Sequence, residues 1–369
     1  LFGAGMVILT DRAAQGAASR WAVLRGYWWR SLVLFLLGVI HIFVLLWPGD
    51  ILHTYGLAAM VAVLFRRLRP RWLLTIGLSM AVLQLGGGGF GYYQATQQRA
   101  VVAAAEAKQA AGRPLTKAET TALQDHAKQA AGRAKRQAEA RANIAAEDKA
   151  RTGTFATWAK SAWDSTYWIQ SRFLEIIFVW EAAATMLIGA ALFKMGILQG
   201  ARSRSFYIKL TLIAYAIGLG SRTVGALDEM RFDDAPSIIW SLSEVARLAT
   251  TLGHVGLVYV LLGTATGARL LRPFQAAGRV ALSLYILQTI ICLWVLYPPF
   301  ALGLYGTQSW WEMMVTALLI NAGLLWLANW YAARFSAGPV EWAWRSAVER
   351  RVLPFGRRER GVKAVPAAV

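Results

Sequence analysis

The chain has 369 residues, of which 57% are hydrophobic and only 16% are charged. Soluble globular proteins carry roughly a quarter of their residues as charges, so this composition excludes an ordinary soluble domain. The apolar residues fall in runs of about twenty separated by short arginine-rich loops, which is the pattern of a helical membrane protein with several spans. We therefore predict an all-α fold, a polytopic transmembrane helical bundle.

The formal net charge of +19 comes from 39 basic and 20 acidic residues. Most basic residues stand where a short loop leaves an apolar run, as retention on the cytoplasmic side requires, and contact with anionic lipid headgroups accounts for the rest. No nucleic-acid-binding motif accompanies the charge, so we predict membrane lipids as partners and no nucleic acid. Cys292 is the single cysteine, and no metal-ligand spacing is present, so no metal is predicted.

Residues 1–93 form the N-terminal group of transmembrane helices. The first ten residues read as the second half of a span already under way, so we expect a further span before them. The complete runs that follow are Ser31–Trp47, Ile51–Phe65 and Leu73–Phe90. The glycines at 86–89 and 91 end the last run, and they indicate either close helix packing or a flexible span end.

Residues 94–171 differ sharply in composition and form a predicted extracytoplasmic helical insert. Its first part is rich in Ala, Lys, Arg, Glu and Gln, which are strong helix formers. Thr116 and Glu119 have the spacing of a capping box. Its end carries Trp158, Trp163 and Tyr167 beside charges, which is typical of a helix lying in the membrane interface.

Residues 172–335 hold the remaining predicted spans, and residues 336–369 form a basic cytoplasmic tail. These spans are Phe173–Phe193, Phe206–Gly220, Ser237–Gly263, Val280–Tyr297 and Trp310–Tyr331. The chain thus has eight predicted spans after the partial first one, and every short basic loop falls on one side.

His41 lies near the middle of the run Ser31–Trp47, just before a break at Pro48–Asp50. An ionisable side chain within a membrane span is costly and marks a functional candidate by default. Helical rise puts His41 about 15 Å into its span, near the midplane of a roughly 30 Å hydrocarbon core. The alternative, a hydrogen bond that only packs neighbouring helices, stays open.

Three other polar residues reach a similar depth in other spans, namely His254, Tyr285 and Gln288. Their common depth suggests a shared polar cavity with His41.

Several phrases of the sequence together resemble the YeiB family of bacterial membrane proteins, which carry the DUF418 domain. They are LFGAGM at 1–6, GVIHIFVLLWPGDILHTYGL at 38–57, LIGAALFKMGIL at 187–198, RPFQAAGRVALSLYILQ at 272–288 and GPVEWAWR at 338–345. This group is related at superfamily level to transmembrane acyltransferases of the acyltransferase-3 and heparan-glucosaminide N-acetyltransferase-like kinds. The resemblance implies a multi-pass protein of the bacterial cytoplasmic (inner) membrane. It would move an acyl group from cytoplasmic acyl-CoA, first of all acetyl-CoA, to an acceptor reached from the other side.

In such a reaction His41 would act as general base, because a neutral imidazole with an unperturbed pKa of about 6.5 can take the proton of an acceptor hydroxyl or amine. A carboxylate would orient it. Asp50 is the nearest in sequence, but a continued helix would separate the two by roughly 13 Å, so contact requires the turn to fold Asp50 inward. Asp50 as a cap of the helix from Ile51, and Glu244 as the competing partner, stay open.

Other charged residues have both functional and structural explanations. Glu244 and Arg247 have the spacing of a local ion pair, although Glu244 is also a candidate binding residue. Arg279 stands at a cytoplasmic span end and could instead hold donor phosphates, with Arg272 as the weaker alternative. Glu341 and Arg345 are predicted to pair on a surface helix.

The rival function is a transporter or permease for a small or lipidic solute, in which intramembrane His and Glu residues relay protons. A scaffold whose insert docks a partner is a third alternative. The acceptor could be a glycan, a lipid or a small molecule, and homodimer formation is left open.

Overall fold

The computed structural model describes residues 1–16, 18–171, 174–230 and 236–356, and the regular structure in these ranges is helical. Within them the sole β-type pairing is an isolated bridge between Phe335 and Gly356. The predicted basic tail beyond Gly356 lies outside the described residues. The chain divides into two compact units, the first of 1–24, 58–150 and 173–265 and the second of 25–57, 151–172 and 266–369.

The α-helices of the described ranges follow one another with short connections. In chain order they are α1 (Phe2–Gly16), α2 (Arg20–Val44), α3 (Leu52–Ala62), α4 (Pro70–Gly77), α5 (Ser79–Ala110), α6 (Lys117–Arg151), α7 (Phe155–Gln170), α8 (Leu174–Lys194), α9 (Arg204–Glu229), α10 (Ile239–Leu262), α11 (Ala265–Arg279), α12 (Ala281–Thr289), α13 (Trp310–Arg334) and α14 (Pro339–Glu349). A 3-10 turn, Val63–Phe65, extends α3, and a π-helix, Ile290–Leu296, continues α12.

The predicted all-α polytopic architecture is confirmed. Six helical segments of the described chain are long and apolar enough to cross a membrane: Arg20–Val44, Pro70–Ala110, Glu175–Lys194, Arg204–Glu229, Ile239–Leu262 and Trp310–Arg334. The pair α11 and α12 with its π-helix would be a seventh, bent by 75°. Each remaining predicted run is also helical, but α1 and Leu52–Phe65 are shorter than a full span. The protein is therefore a multi-pass membrane protein.

The glycine cluster does not end a helix, because α5 runs through it to Ala110. A Cβ atom on Gly88 would lie 2.6 Å from Oγ of Ser241 and 2.7 Å from the ring of Trp240. Of the two sequence interpretations, close packing of helices is the one that the structure shows, here between α5 and α10 in the first unit.

Helix α6 begins where the sequence predicts. Glu119 accepts hydrogen bonds from the backbone N–H of Thr116 at 2.9 Å and from its hydroxyl at 3.0 Å, and the Thr116 hydroxyl accepts the N–H of Glu119 at 3.2 Å. None of the residues of α6 is buried. In the second unit, by contrast, Trp158 of α7 is only 2% exposed and packs against Leu46, so this part of the predicted interfacial segment belongs to a core.

Candidate functional site

A polar centre in the second unit is formed by His41, Asp50, His53, Tyr285 and Thr289. It begins where α2 ends, at Val44 instead of the predicted Trp47. Leu46 takes a positive φ of 54°, a conformation that is uncommon for residues with a β-carbon. Residues 48–49 then form a turn. The chain therefore folds back beside the last turns of α2 before α3 starts.

This reversal brings Asp50 into direct contact with His41. Nδ1 of His41 lies 2.6 Å from Oδ1 of Asp50, and both side chains are fully buried. The separation of roughly 13 Å that helical rise suggests does not apply, because the helix stops six residues before the carboxylate. Asp50 is thus the partner of His41, and the prediction of Glu244 as its competitor is wrong.

The second carboxylate oxygen of Asp50 caps α3. Oδ2 accepts the backbone N–H of His53 at 2.9 Å and the N–H of its Nδ1 at 3.0 Å, and the hydroxyl of Tyr285 donates to Oδ1 at 3.2 Å. Asp50 lies outside the segments that qualify as spans. Its burial alone would raise its pKa, but the hydrogen bonds from His41 and His53 lower the pKa to about 2. Asp50 is therefore ionised at neutral pH, and its capping and histidine-pairing roles coexist.

The other ring nitrogen of His41 faces a hydroxyl group. Nε2 lies 2.9 Å from Oγ1 of Thr289, the last residue of α12. An ionised carboxylate only accepts hydrogen bonds, so Nδ1 of His41 carries a proton. In the neutral imidazole Nε2 is then an acceptor, and the Thr289 hydroxyl donates to it.

Three side chains hold the reversal that carries Asp50. Nε1 of Trp294 donates to the carbonyl of Leu45 at 3.0 Å, and Nε2 of Gln170 donates to the carbonyl of Pro48 at 3.1 Å. The hydroxyl of Tyr285 accepts the N–H of Ile51 at 3.3 Å. The ring of Tyr285 also packs edge-on against that of His41, with centroids 5.0 Å apart. The loop is thus tied to α7, to α12 and to the π-helix.

The start of α12 is fixed by Glu341 of α14. Oε1 of Glu341 accepts the backbone N–H groups of Leu282 at 2.6 Å and Ser283 at 3.1 Å, and Oε2 accepts the Ser283 hydroxyl. A carboxylate satisfies free N–H groups of a helix N-terminus and interacts favourably with the helix dipole. Glu341 is buried, so the predicted surface pairing with Arg345 is wrong, because the first turn of α14 faces α12.

Gln288 and Arg279 also belong to the second unit. Gln288 is half-buried on α12, next to Thr289, and Arg279 is exposed at the end of α11, before the bend into α12.

The remaining predicted residues, His254 and Glu244, belong to the first unit. His254 is exposed, and its Nδ1 lies 2.7 Å from the carbonyl oxygen of Thr250 on its own helix. Glu244 is buried and forms two hydrogen bonds with Arg247, at 2.6 and 2.8 Å, which is the local ion pair that the sequence suggests. Arg247 also lies 3.3 Å from Glu181.

A cavity of about 340 Å³ lies in the second unit, and its wall begins about one helical turn beyond Thr289. Its lining includes Leu293 and Tyr297 of the π-helix end, Trp158, Tyr305 and Arg151. The walls are largely aromatic and aliphatic, with the guanidinium of Arg151 over the Tyr305 ring.

Two members of the polar centre, His53 and Thr289, escape sequence reasoning as functional residues. His53 has a usable signal, since it stands three residues after an aspartate that follows Pro-Gly. Thr289 has none, because it is 248 residues from His41. Among the described residues no group of three or more His, Cys, Asp and Glu side chains is arranged to hold a metal ion.

Comparison with known proteins shows which proteins the chain resembles. The family described as "Protein of unknown function (DUF418)" matches residues 192–351. The predicted resemblance is therefore confirmed. The part of the chain at 192–351 is thus similar to the DUF418 family.

Two relatives are also similar to the chain. The chain is 26% identical to the uncharacterized protein YxaH of Bacillus subtilis (strain 168) over 364 residues, which are 97% of this chain and 79% of YxaH. It is 29% identical to the uncharacterized protein YeiB of Escherichia coli (strain K12) over 184 residues, 47% of this chain and 46% of YeiB. No solved structure matches the chain significantly.

Proposed function

We propose that this protein is an acyltransferase of the bacterial cytoplasmic membrane. It would move an acyl group from cytoplasmic acyl-CoA to an acceptor reached from the extracytoplasmic side. The observation that carries the proposal is the fully buried pair of His41 and ionised Asp50. Burial of an ionised group costs desolvation free energy, so a pair that is kept fully buried is a candidate for function.

The pair has the geometry of a general base with its orienting carboxylate. Asp50 holds the Nδ1 proton of His41 and so leaves Nε2 as the basic nitrogen. When Nε2 takes a proton, the negative charge 2.6 Å from Nδ1 stabilises the imidazolium. Acyl transfer to a hydroxyl or amine needs this proton acceptor.

The donor end of the reaction is assigned to α11. Arg269, Arg272 and Arg279 are all exposed, and their spacing puts them on one face of this helix. Guanidinium groups bind phosphate oxygens in bidentate fashion, so this face suits the phosphates of CoA, with acetyl-CoA as the first donor to test. The cavity beyond Thr289 would take the acceptor, whether a glycan, a lipid or a small molecule.

The decisive experiment measures transfer by the purified full chain in detergent, with radiolabelled acetyl-CoA and a lipid and glycan extract of bacterial envelopes as acceptor pool. His41→Ala should reduce transfer by about 100-fold or more while the protein remains folded. His126→Ala is the matched control, because His126 is an exposed histidine of α6, and it should retain full transfer. Equal transfer by both variants would remove His41 from the reaction.

A second test concerns the donor site. Binding of acetyl-CoA should weaken as salt rises, because it rests on exposed charges. Arg279→Ala should weaken binding and flatten the salt dependence, whereas Arg141→Ala on exposed α6 should change neither. Absence of any CoA-thioester binding at low salt would contradict the enzyme function itself.

Two observations favour the rival, a transporter or permease. Arg247 lies between Glu244 and Glu181 on two candidate spans of the first unit, and charged groups there are typical of ion or proton pathways. The bent pair of α11 and α12 is also compatible with a broken transport helix. Solute counterflow in proteoliposomes without acyl-CoA would support this alternative, and dependence of all activity on acyl-CoA would refute it.

A further inference from the structure

The Thr289 hydroxyl occupies the position from which His41, the proposed base, would take a proton. Nε2 of His41, the nitrogen left free by Asp50, already has Oγ1 of Thr289 at 2.9 Å. An external acceptor could reach this nitrogen only by displacing the threonine. The proton that His41 is placed to remove is therefore the proton of Thr289.

We propose, building on the acyltransferase function, that Thr289 is a covalent nucleophile and that the protein works through an acyl-threonine intermediate. A hydroxyl, a base that accepts its proton and a carboxylate that orients the base form the arrangement by which enzymes activate a weak oxygen nucleophile. Here a chain of hydrogen bonds runs from Oδ1 of Asp50 to Nδ1 of His41, at 2.6 Å, and from Nε2 of His41 to Oγ1 of Thr289, at 2.9 Å.

Other helical threonines of this chain show what a structural hydroxyl does instead. The hydroxyls of Thr10, Thr211, Thr250 and Thr251 each donate to the carbonyl four residues earlier, at 2.7 to 2.8 Å. This local bond satisfies a hydroxyl within an apolar helix. The hydroxyl of Thr289 instead contacts the imidazole of His41, on a helix far away in sequence. It therefore differs from the hydroxyls that bond the backbone of their own helix.

The backbone changes its helical form at this residue. Thr289 ends α12, and the π-helix begins at Ile290. Single π-type turns within α-helices occur frequently at functional sites. The cavity wall starts at Leu293, about one turn further along the same helix.

The proposed reaction has two balanced halves. Oγ1 of Thr289 attacks the thioester carbonyl carbon while its proton passes to Nε2 of His41. The C–S bond then breaks, CoA leaves as the thiol with the proton from Nε2, and an ester remains on Thr289. In the second half the acceptor hydroxyl or amine attacks this ester and gives its proton to Nε2, which returns it to Oγ1 as the C–O bond breaks. No electrons are exchanged with an oxidant or reductant.

The intermediate can be sought with acetyl-CoA alone, because the first half needs no acceptor. The purified full chain is incubated with acetyl-CoA, quenched in acid and analysed by intact mass and peptide mapping. We expect one added acetyl group on the peptide that contains Thr289, together with release of one equivalent of CoA in a burst. With acceptor extract present, initial rates should follow ping-pong kinetics.

Three variants separate chemistry from packing. Thr289→Ser keeps a hydroxyl and should still form the adduct, whereas the nearly isosteric Thr289→Val should form none and lose about 100-fold or more in transfer. Thr251→Val, at an exposed helical threonine, should behave as wild type. Melting temperatures within a few degrees of wild type would show that Thr289→Val folds.

The outcomes distinguish this inference from the proposed function. Acetyl on Thr289 in wild type and Thr289→Ser, but not in Thr289→Val, supports it. Transfer by wild type without any acetyl on Thr289, matched by transfer in Thr289→Val, overturns it and leaves the acyltransferase function standing. Acetyl found on His41 also overturns it. Failure of wild type to bind acetyl-CoA and to release CoA overturns the proposed function as well.

Discussion

Gly38→Ala would test whether the close approach of α2 to the Asp50 reversal sets the geometry of the polar centre. Gly38 lies on α2, three residues before His41, and contributes no functional group. A Cβ atom there would lie 2.2 Å from the backbone nitrogen of His53 and 2.6 Å from Oδ2 of Asp50. Ordinary contacts of a Cβ begin near 3.4 Å, so the two segments would have to separate by about 1 Å.

This separation would lengthen the hydrogen bond between His41 and Asp50, which the proposed chemistry requires. An added 1 Å would stretch the His41–Asp50 contact from 2.6 Å to beyond hydrogen-bond range. Overpacking of this kind costs about 1–3 kcal/mol of stability. A misplacement of 1 Å can reduce catalysis by about 100-fold. We expect a lower melting temperature in detergent and a loss of acetyl transfer of that order.

Gly26→Ala is the matched control on the same helix. A Cβ on Gly26 meets no atom within 4 Å, so alanine should leave transfer unchanged and stabilise α2 by about 0.5–1 kcal/mol through helix propensity. The reasoning is refuted if Gly38→Ala and Gly26→Ala melt and transfer alike. Loss of stability in Gly38→Ala with full transfer would show that the close approach serves packing alone.

Three further predictions concern charged groups. The pKa of Asp50 is about 2, against the usual 3.8, so its ionised form stabilises the fold by about 2 kcal/mol above about pH 4. This contribution should disappear as the pH falls from 4 to 2. Asp50→Asn should abolish that part of the pH dependence of the melting temperature. Glu341→Ala should lower the free energy of unfolding by about 2 kcal/mol or more, because two N–H groups of α12 lose their acceptor; Glu349→Ala on the exposed end of α14 should stay within about 0.5 kcal/mol in the same thermal assay. Glu244→Ala should destabilise by no more than about 2 kcal/mol, because Arg247 retains a second carboxylate at 3.3 Å; a larger loss of melting temperature would contradict this.

The fold could be predicted from the sequence because its signals are local. Runs of apolar residues predict the helices. The spacing of Thr116 and Glu119 predicts where α6 begins, and the structure agrees. The role of the glycines at 86–89 stays ambiguous in the sequence because it is not local: Gly88 packs against Trp240, on a helix distant in sequence.

The polar centre was only half predictable because its decisive features are not local. His41 and Asp50 stand out as ionisable residues at a membrane segment. Their contact, however, depends on the left-handed conformation of Leu46, which the residue type does not predict. A leucine is a poor candidate for positive φ. Glu341 was misread because its spacing to Arg345 is that of an exposed pair, whereas burial against α12 decides its role.

The residues of the polar centre come from two parts of the chain, and only one of these parts matches the DUF418 family. The matched segment, residues 192–351, contains Thr289, Tyr285 and Glu341. His41 and Asp50, the proposed base and its carboxylate, come from the part of the chain before that segment. The segment therefore supplies the hydroxyl and the cap that positions its helix, while the earlier helices supply the group that would activate it. The proposed acyl transfer requires both parts of the chain, so it should be sought first in relatives that match both, such as YxaH, whose match covers 97% of this chain and 79% of YxaH.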